Sequence, residues 1–110
     1  MKNQKYVAVF ITAPNGKEAK RIAENLVDRK LAACVNIVPR IESIYRWKGK
    51  IERSGELLLI AKTRSALTLR LIAGVKKLHS YTVPEIIMLP IVNGNKDYLD
   101  WIKESTSPIS

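Results

Sequence analysis

The sequence predicts an α+β domain whose strands and helices follow the order β-α-β-β-α-β, with a short helix after the last strand. Three observations carry this. Runs rich in β-branched and aromatic residues alternate with stretches whose apolar residues recur at helical spacing. The two central strands are joined directly by a glycine-bearing turn. The 110 residues contain no internal repeat and no low-complexity segment, so one domain, with its core over about 5–104, accounts for the chain.

Lys5 to Ala13 (KYVAVFITA) reads as a strand that Pro14 ends. Asn15, with Glu18 three residues on, matches an N-cap and its capping partner. Ala19, Ile22, Ala23, Leu26 and Val27 then supply a helical stripe running to about Lys30. Ala33 to Trp47 alternates: Val35, Ile37, Ile41, Tyr45 and Trp47 share one parity, and Asn36, Arg40, Glu42 and Arg46 the other. Pro39 marks a bend or an edge position within it. A three-residue loop, Lys48-Gly49-Lys50, keeps the apolar parities aligned by setting Trp47 opposite Ile51 and Tyr45 opposite Arg53. The same register sets Asn36 opposite Lys62.

Ile51 to Thr63 forms the return strand. Ser65 is the expected N-cap of a second helix, buried through Leu67, Leu71, Val75 and Leu78, with Gly74 allowing close packing. Glu85 to Val92 is the last strand. Asn95 caps a terminal helix whose Tyr98, Trp101 and Ile102 are expected to face inward, and residues 105–110 read as a loose tail. The order is that of the split β-α-β, ferredoxin-like arrangement, with the first strand beside the third and the helices on one face.

Two features suggest that one chain leaves surface to be covered. VAVFI, LLLIA and IIML are apolar on both parities, whereas helices on one side cover only one face. The central hairpin, at about 3.3 Å per residue, reaches roughly 50 Å. A body of this size is only about 35 Å across. The hairpin therefore overhangs and offers Tyr45 and Trp47 to another chain, a homo-oligomer being the simplest partner.

Composition excludes several classes. A hydrophobic fraction of 46% argues against disorder. No apolar run approaches the roughly 20 residues of a membrane span, and residues 1–5 lack the apolar stretch of a secretory signal. Cys34 is the only cysteine, which precludes an internal disulfide, and the cytoplasm is the simplest compartment. The net charge of +9 is spread from Lys2 to Lys103 and interrupted by acidic residues, a solvated surface rather than a polyanion track. An RNA-recognition module of this element order needs base-stacking aromatics on its third strand, which here reads LLLIA, so no nucleic-acid partner is expected. No glycine-rich phosphate loop and no metalloprotease helix motif occurs, and no catalytic spacing joins Cys34, His79 and Asn36. The chain is not expected to be an enzyme.

The candidate site is the loop His79-Ser80-Tyr81-Thr82-Val83-Pro84-Glu85, which holds the only histidine beside a phenol and a carboxylate. Chain order predicts that Thr12, Cys34, Asn36, Lys62 and Thr63 collect with it at one end of the sheet. Lys62, a charge ending an apolar strand, is either an anion-binding ammonium, a partner of Glu85, or a snorkelling strand-end lysine. Cys34 has the context of a small buried hydrophobe. His79 is either a site residue or a helix-terminal charge. One histidine and one cysteine are too few for a closed metal site, which takes four ligands.

LAACVNIVP (31–39), SIYRWKGKI (43–51), Lys62-Thr63, HSYTVPEII (79–87), LPI (89–91), GN (94–95) and YLDWI (98–102) together resemble the CutA divalent-cation-tolerance family, nearly from end to end. The resemblance implies a tight homotrimer similar in architecture to the PII signalling proteins, linked to tolerance of copper and other divalent metals. It implies a pocket of Cys34, Trp47, Lys62, His79, Tyr81 and Glu85 in the cleft between subunits. No cofactor is obligatory; Cu2+ or another divalent cation is the implied ligand, with His79 and Cys34 as its donors. Some bacterial members carry a cysteine and a histidine where this chain has Ile11 and Leu78, so two soft donors are missing here. The alternatives are a signalling trimer that binds an anionic metabolite and a structural scaffold for partner proteins.

Overall fold

The computed structural model describes residues 5–108. Its elements are β1 (Tyr6–Ala13), α1 (Gly16–Asp28), β2 (Cys34–Trp47), β3 (Lys50–Arg64), α2 (Thr68–Leu78), β4 (Ile86–Pro90) and α3 (Lys96–Ser105). The strands form one antiparallel sheet in the order β2-β3-β1-β4. This is the expected α+β topology.

Strand pairing sorts the side chains. Val7, Val9, Ile11 and Ala13 share a face with Thr63, Ala61, Leu59 and Leu57. On that face α1 contributes Ala19, Ile22 and Leu26, and α2 contributes Leu71 and Val75, all fully buried. Each large aliphatic side chain there gains about 1.5–3 kcal/mol from burial. At Gly74 a Cβ would meet Arg29 Nη1 and Leu31 Cδ1 at 3.4 Å, ordinary contact with the ends of two flexible side chains, so the packing of α2 does not require the glycine. The opposite face carries Phe10, Leu58, Ile60, Val38, Ile87 and Leu89. It is uncovered over much of its width: Ile87 is 50% exposed and Leu89 42%. At one end of this face α3 packs, where Arg64 Nε and Nη2 donate to Thr106 Oγ1 and O at 2.9 and 3.0 Å.

The hairpin projects as expected, giving the molecule extents of 47 × 27 × 23 Å. Its register corrects the sequence reading. The loop is two residues, Lys48-Gly49, both in the left-handed region (φ 51 and 80), so Trp47 pairs with Lys50 and Tyr45 with Glu52. Both positive φ values mark the mirror-image turn that matches strand twist. A bulge supplies the offset that the longer loop was invoked for. Between the pairs Val38–Leu58 and Ile41–Glu56, β2 advances three residues and β3 two, with Arg40 at φ 61. The odd-numbered residues of β2 therefore change face at Pro39. Val35 and Ile37 pair with the core residues Ala61 and Leu59, whereas Ile41, Ser43, Tyr45 and Trp47 align with Glu56, Ser54, Glu52 and Lys50. Likewise Cys34, not Asn36, pairs with Lys62.

Helix ends follow the sequence with two shifts. Asn15 and Asn95 cap α1 and α3, accepting from Glu18 N at 2.8 Å and Asp97 N at 3.0 Å. A 3-10 turn over Ser65–Leu67 precedes α2, which makes Leu67 rather than Ser65 its cap residue. In α3 only Ile102 is buried; Tyr98 and Trp101 stay about 40% exposed and stack on each other at 5.4 Å. Ser105 ends α3 and Thr106 is buried, so the expected tail begins later, and its last residues, 109–110, lie outside the described residues.

Candidate functional site

The loop after α2 is held by its histidine. His79 N donates to Val75 O at 2.9 Å, closing the helix. The ring is buried, and its Nε2 donates to Thr12 O at 2.7 Å. Its Nδ1 accepts from Tyr81 N at 3.1 Å, which fixes the Nε2–H tautomer. The N-cap of α1 brings Glu18 to the same loop. Glu18 Oε2 accepts from Ser80 N at 2.9 Å and Ser80 Oγ at 3.1 Å, and lies 3.4 Å from His79 Nδ1. Arg21 Nη2 donates to Leu78 O at 2.9 Å. The expected capping partner of Asn15 thus spends its side chain on the loop.

Tyr81 is the consequence of that anchoring. Its ring lies 4.8 Å from His79, and its Oη donates to Glu56 Oε2 at 2.8 Å. Burial first, then the hydrogen bond and charge of Glu56, push the phenol well above the ordinary tyrosine value. Glu56 itself is only 7% exposed. Among the described residues no lysine or arginine pairs with it.

These groups line a pocket of about 590 Å³ between hairpin and loop. Its walls include Thr12, Ser43, Tyr45, Trp47, Tyr81 and Val83, and its charged residues are Glu56 and Glu85. Tyr45 Oη and Ser54 Oγ share a hydrogen bond of 2.8 Å. Lys48 Nζ lies 5.9 Å from the Trp47 ring.

Of the predicted residues, Trp47, Tyr81 and Glu85 meet in this pocket, and His79 stands behind it. Cys34 and Lys62 do not join them within one chain. The reason is strand direction: β1 and β3 are antiparallel, with Ala13 opposite Leu57 and Ala8 opposite Lys62. The end of β3 therefore lies at the start of β1, and Lys62 is about 13 Å along the sheet from the level of Thr12. Only Thr12 and the loop converge. At the far end Lys62 Nζ donates to Asn36 Oδ1. There Tyr98 is pushed above its ordinary range, chiefly by burial and then by Cys34.

The chain alone does not fit a metal centre of His79 and Cys34. Those residues sit at opposite ends of β1, and both ring nitrogens of His79 are engaged. Among the described residues no three of His, Cys, Asp and Glu cluster as ligands would.

Glu56 escaped the sequence reading. Its signal was present: a carboxylate ending the apolar run Leu57–Ala61, just as Lys62 ends it on the other side. The direction of β1 decides which of the two meets the loop.

Fold and site together define a small α+β domain with a projecting hairpin over an aromatic, acidic pocket. The family model described as CutA1 divalent ion tolerance protein matches residues 7–105, and the chain belongs to that family. It is 53% identical over 98 residues to the divalent-cation tolerance protein CutA of Thermus thermophilus, covering 89% of this chain and 95% of that one. The solved Thermus thermophilus Cut A1 structure superposes with a TM-score of 0.91 at 51% identity, covering 93% of this chain and 99% of that one. A rice (Oryza sativa subsp. japonica) protein called chloroplastic CutA 1 is 52% identical over 100 residues, 91% of this chain. The chain spans 56% of that rice protein. Among the described residues no helix is long and apolar enough to cross a membrane.

Proposed function

We propose that this chain is a non-catalytic protein of divalent-cation tolerance, working as a homotrimer that binds a divalent cation such as Cu2+, or a small ligand, in the hairpin pocket. One observation carries the choice of a cation: the charged residues of the pocket are the carboxylates Glu56 and Glu85. Glu56 is buried, and a buried charge without a counter-ion is costly. That sign disfavours the anionic-metabolite reading. His79 supports the pocket by holding Tyr81 rather than by ligating. Cys34 and Lys62 enter the same pocket only from a neighbouring subunit, so the family-type site is an inter-subunit one. The exposed apolar sheet face supports the oligomer, since patches of this kind mark interaction surfaces. Its single free cysteine suits a reducing compartment, and we assign the chain to the cytoplasm.

Calorimetric titration of Cu2+ into the wild type and into Glu85→Gln tests the pocket. Weaker binding by the variant is expected; identical isotherms would sink the cation reading. The anionic alternative predicts instead that Lys62→Glu abolishes binding of a metabolite while chelators change nothing.

A further inference from the structure

We propose that the outer seam between α1 and α2 is a phosphate-binding track, lined by Arg21, Arg29, Arg70 and Lys77, whose ligand is inorganic polyphosphate.

Along the chain the charges of the two helices interleave, but folding sorts them. Arg21 donates through Nη2 to Leu78 O at 2.9 Å, which lays its guanidinium across the end of α2. Arg29, just past the end of α1 and on the same side of it, also reaches α2: its Nη1 is 3.4 Å from where a Gly74 Cβ would stand. Arg70 and Lys77 are exposed, and they stand one turn before and one turn after Gly74 on that side of α2. From Arg70 to Leu78 the seam is about 12 Å long at 1.5 Å per residue. The acids lie elsewhere. Glu24 and Asp28 are on the other flank of α1, where they border a shallow recess with Val27 and Val35. Glu18 is taken up by Ser80 and His79. Among the described residues no carboxylate lies within ion-pair distance of Arg21, Arg29, Arg70 or Lys77.

Three of these four cations are arginines, whose planar forks take phosphate oxygens in pairs. Arg21 has N–H groups to spare beyond the one spent on Leu78 O. A row of such groups along a seam suits an extended anion laid over it rather than a compact metabolite in a cleft. Two other polyanions suit it less. Single-stranded nucleic acid stacks its bases on aromatic side chains, and neither α1 nor α2 contains one. A lipid surface takes up an apolar helix face. Here the apolar stripes of both helices are buried against the sheet, and of the large apolar side chains of α2 only Leu69 is exposed. The seam lies on the helix side of the sheet, so covering the open apolar face with neighbouring subunits leaves it accessible. No residue of the seam lines the hairpin pocket.

The test is calorimetric titration of long-chain sodium polyphosphate into the full chain in its native assembly. Binding that weakens steeply with added salt is expected. Arg29→Gln combined with Arg70→Gln should weaken it at least about tenfold. Lys50→Gln combined with Lys103→Gln removes the same charge at exposed positions away from the seam and should leave binding close to wild type. If the arginine double variant melts early, Lys77→Gln alone, at an exposed position, should still show a several-fold loss. Equal losses in the two double variants would reduce the effect to net charge and overturn the site. Absence of polyphosphate binding would overturn it too. So would tighter binding, through the same arginines, of a single-stranded oligonucleotide or of phosphatidylserine vesicles.

Discussion

Tyr81 and Glu56 form the pair on which the pocket depends. Among the described residues the phenol is the hydrogen-bond donor to the buried carboxylate, so Tyr81→Phe strands a polar group. A loss of about 1–3 kcal/mol in urea denaturation is expected. The same pair sets an alkaline limit. Tyr81 has a folded-state value above its ordinary 10.0, so the folded protein keeps a proton that the unfolded chain releases. The resulting stabilisation is complete below about 10 and is lost as pH rises beyond it. Stability of the wild type should fall above that point, and Tyr81→Phe should flatten the fall; an unchanged slope would refute the coupling. Tyr98, also raised, leaves a residual slope in the variant. At this scale the sequence was half legible. His79, Tyr81 and Glu85 stood out as unusual for a loop, but nothing in the residue string marks a glutamate as buried when its cover comes from a segment 25 positions away.

The hairpin is the element that builds the outer wall, and its geometry rests on backbone dihedrals. Lys48 and Gly49 both occupy the left-handed region. A Cβ at Gly49 would touch nothing within 4 Å, so substitution there carries a pure backbone cost. Gly49→Val is expected to destabilise by about 1–2 kcal/mol, whereas Lys48→Asn should gain roughly 0.5 kcal/mol, because asparagine tolerates that conformation. Chemical denaturation of both variants checks the opposite signs; equal effects would contradict the turn type. The strands themselves were readable from alternation and β-branched content. The register was not, because a two-residue turn with a bulge and a three-residue loop without one give the same side-chain parity at the base of the hairpin, where Val35 and Ile37 pair with Ala61 and Leu59. They differ between the bulge and the tip, from Ile41–Glu56 to Trp47–Lys50. That choice also decides whether Tyr45 and Trp47 line the pocket or follow Val35 and Ile37 to the helix side.

For the whole molecule the open sheet face is the main unresolved surface energy. Phe10, Leu58, Ile60, Ile87 and Leu89 lie side by side on it. A homotrimer that buries this face should sediment at three times the chain mass of 12.4 kDa even when dilute. Ile87→Lys places a charge there at little cost to a lone chain, since Ile87 is 50% exposed, but should dissociate the assembly. A wild type that sediments as a monomer would refute the oligomer, and an intact trimer in the variant would move the interface elsewhere.

Element order, the two asparagine caps, the core stripes of α1 and α2 and the doubly apolar strands follow from the residue string, because each depends on local periodicity and backbone preference. The site does not. Lys62 and Glu56 flank the same apolar run, and both were available to meet the histidine loop. The antiparallel pairing of β1 with β3 brought Glu56 to it and carried Lys62 and Cys34 away. Strand direction and register are long-range properties, set by which pairings bury the most apolar surface at once, and that sum exists only in the folded sheet.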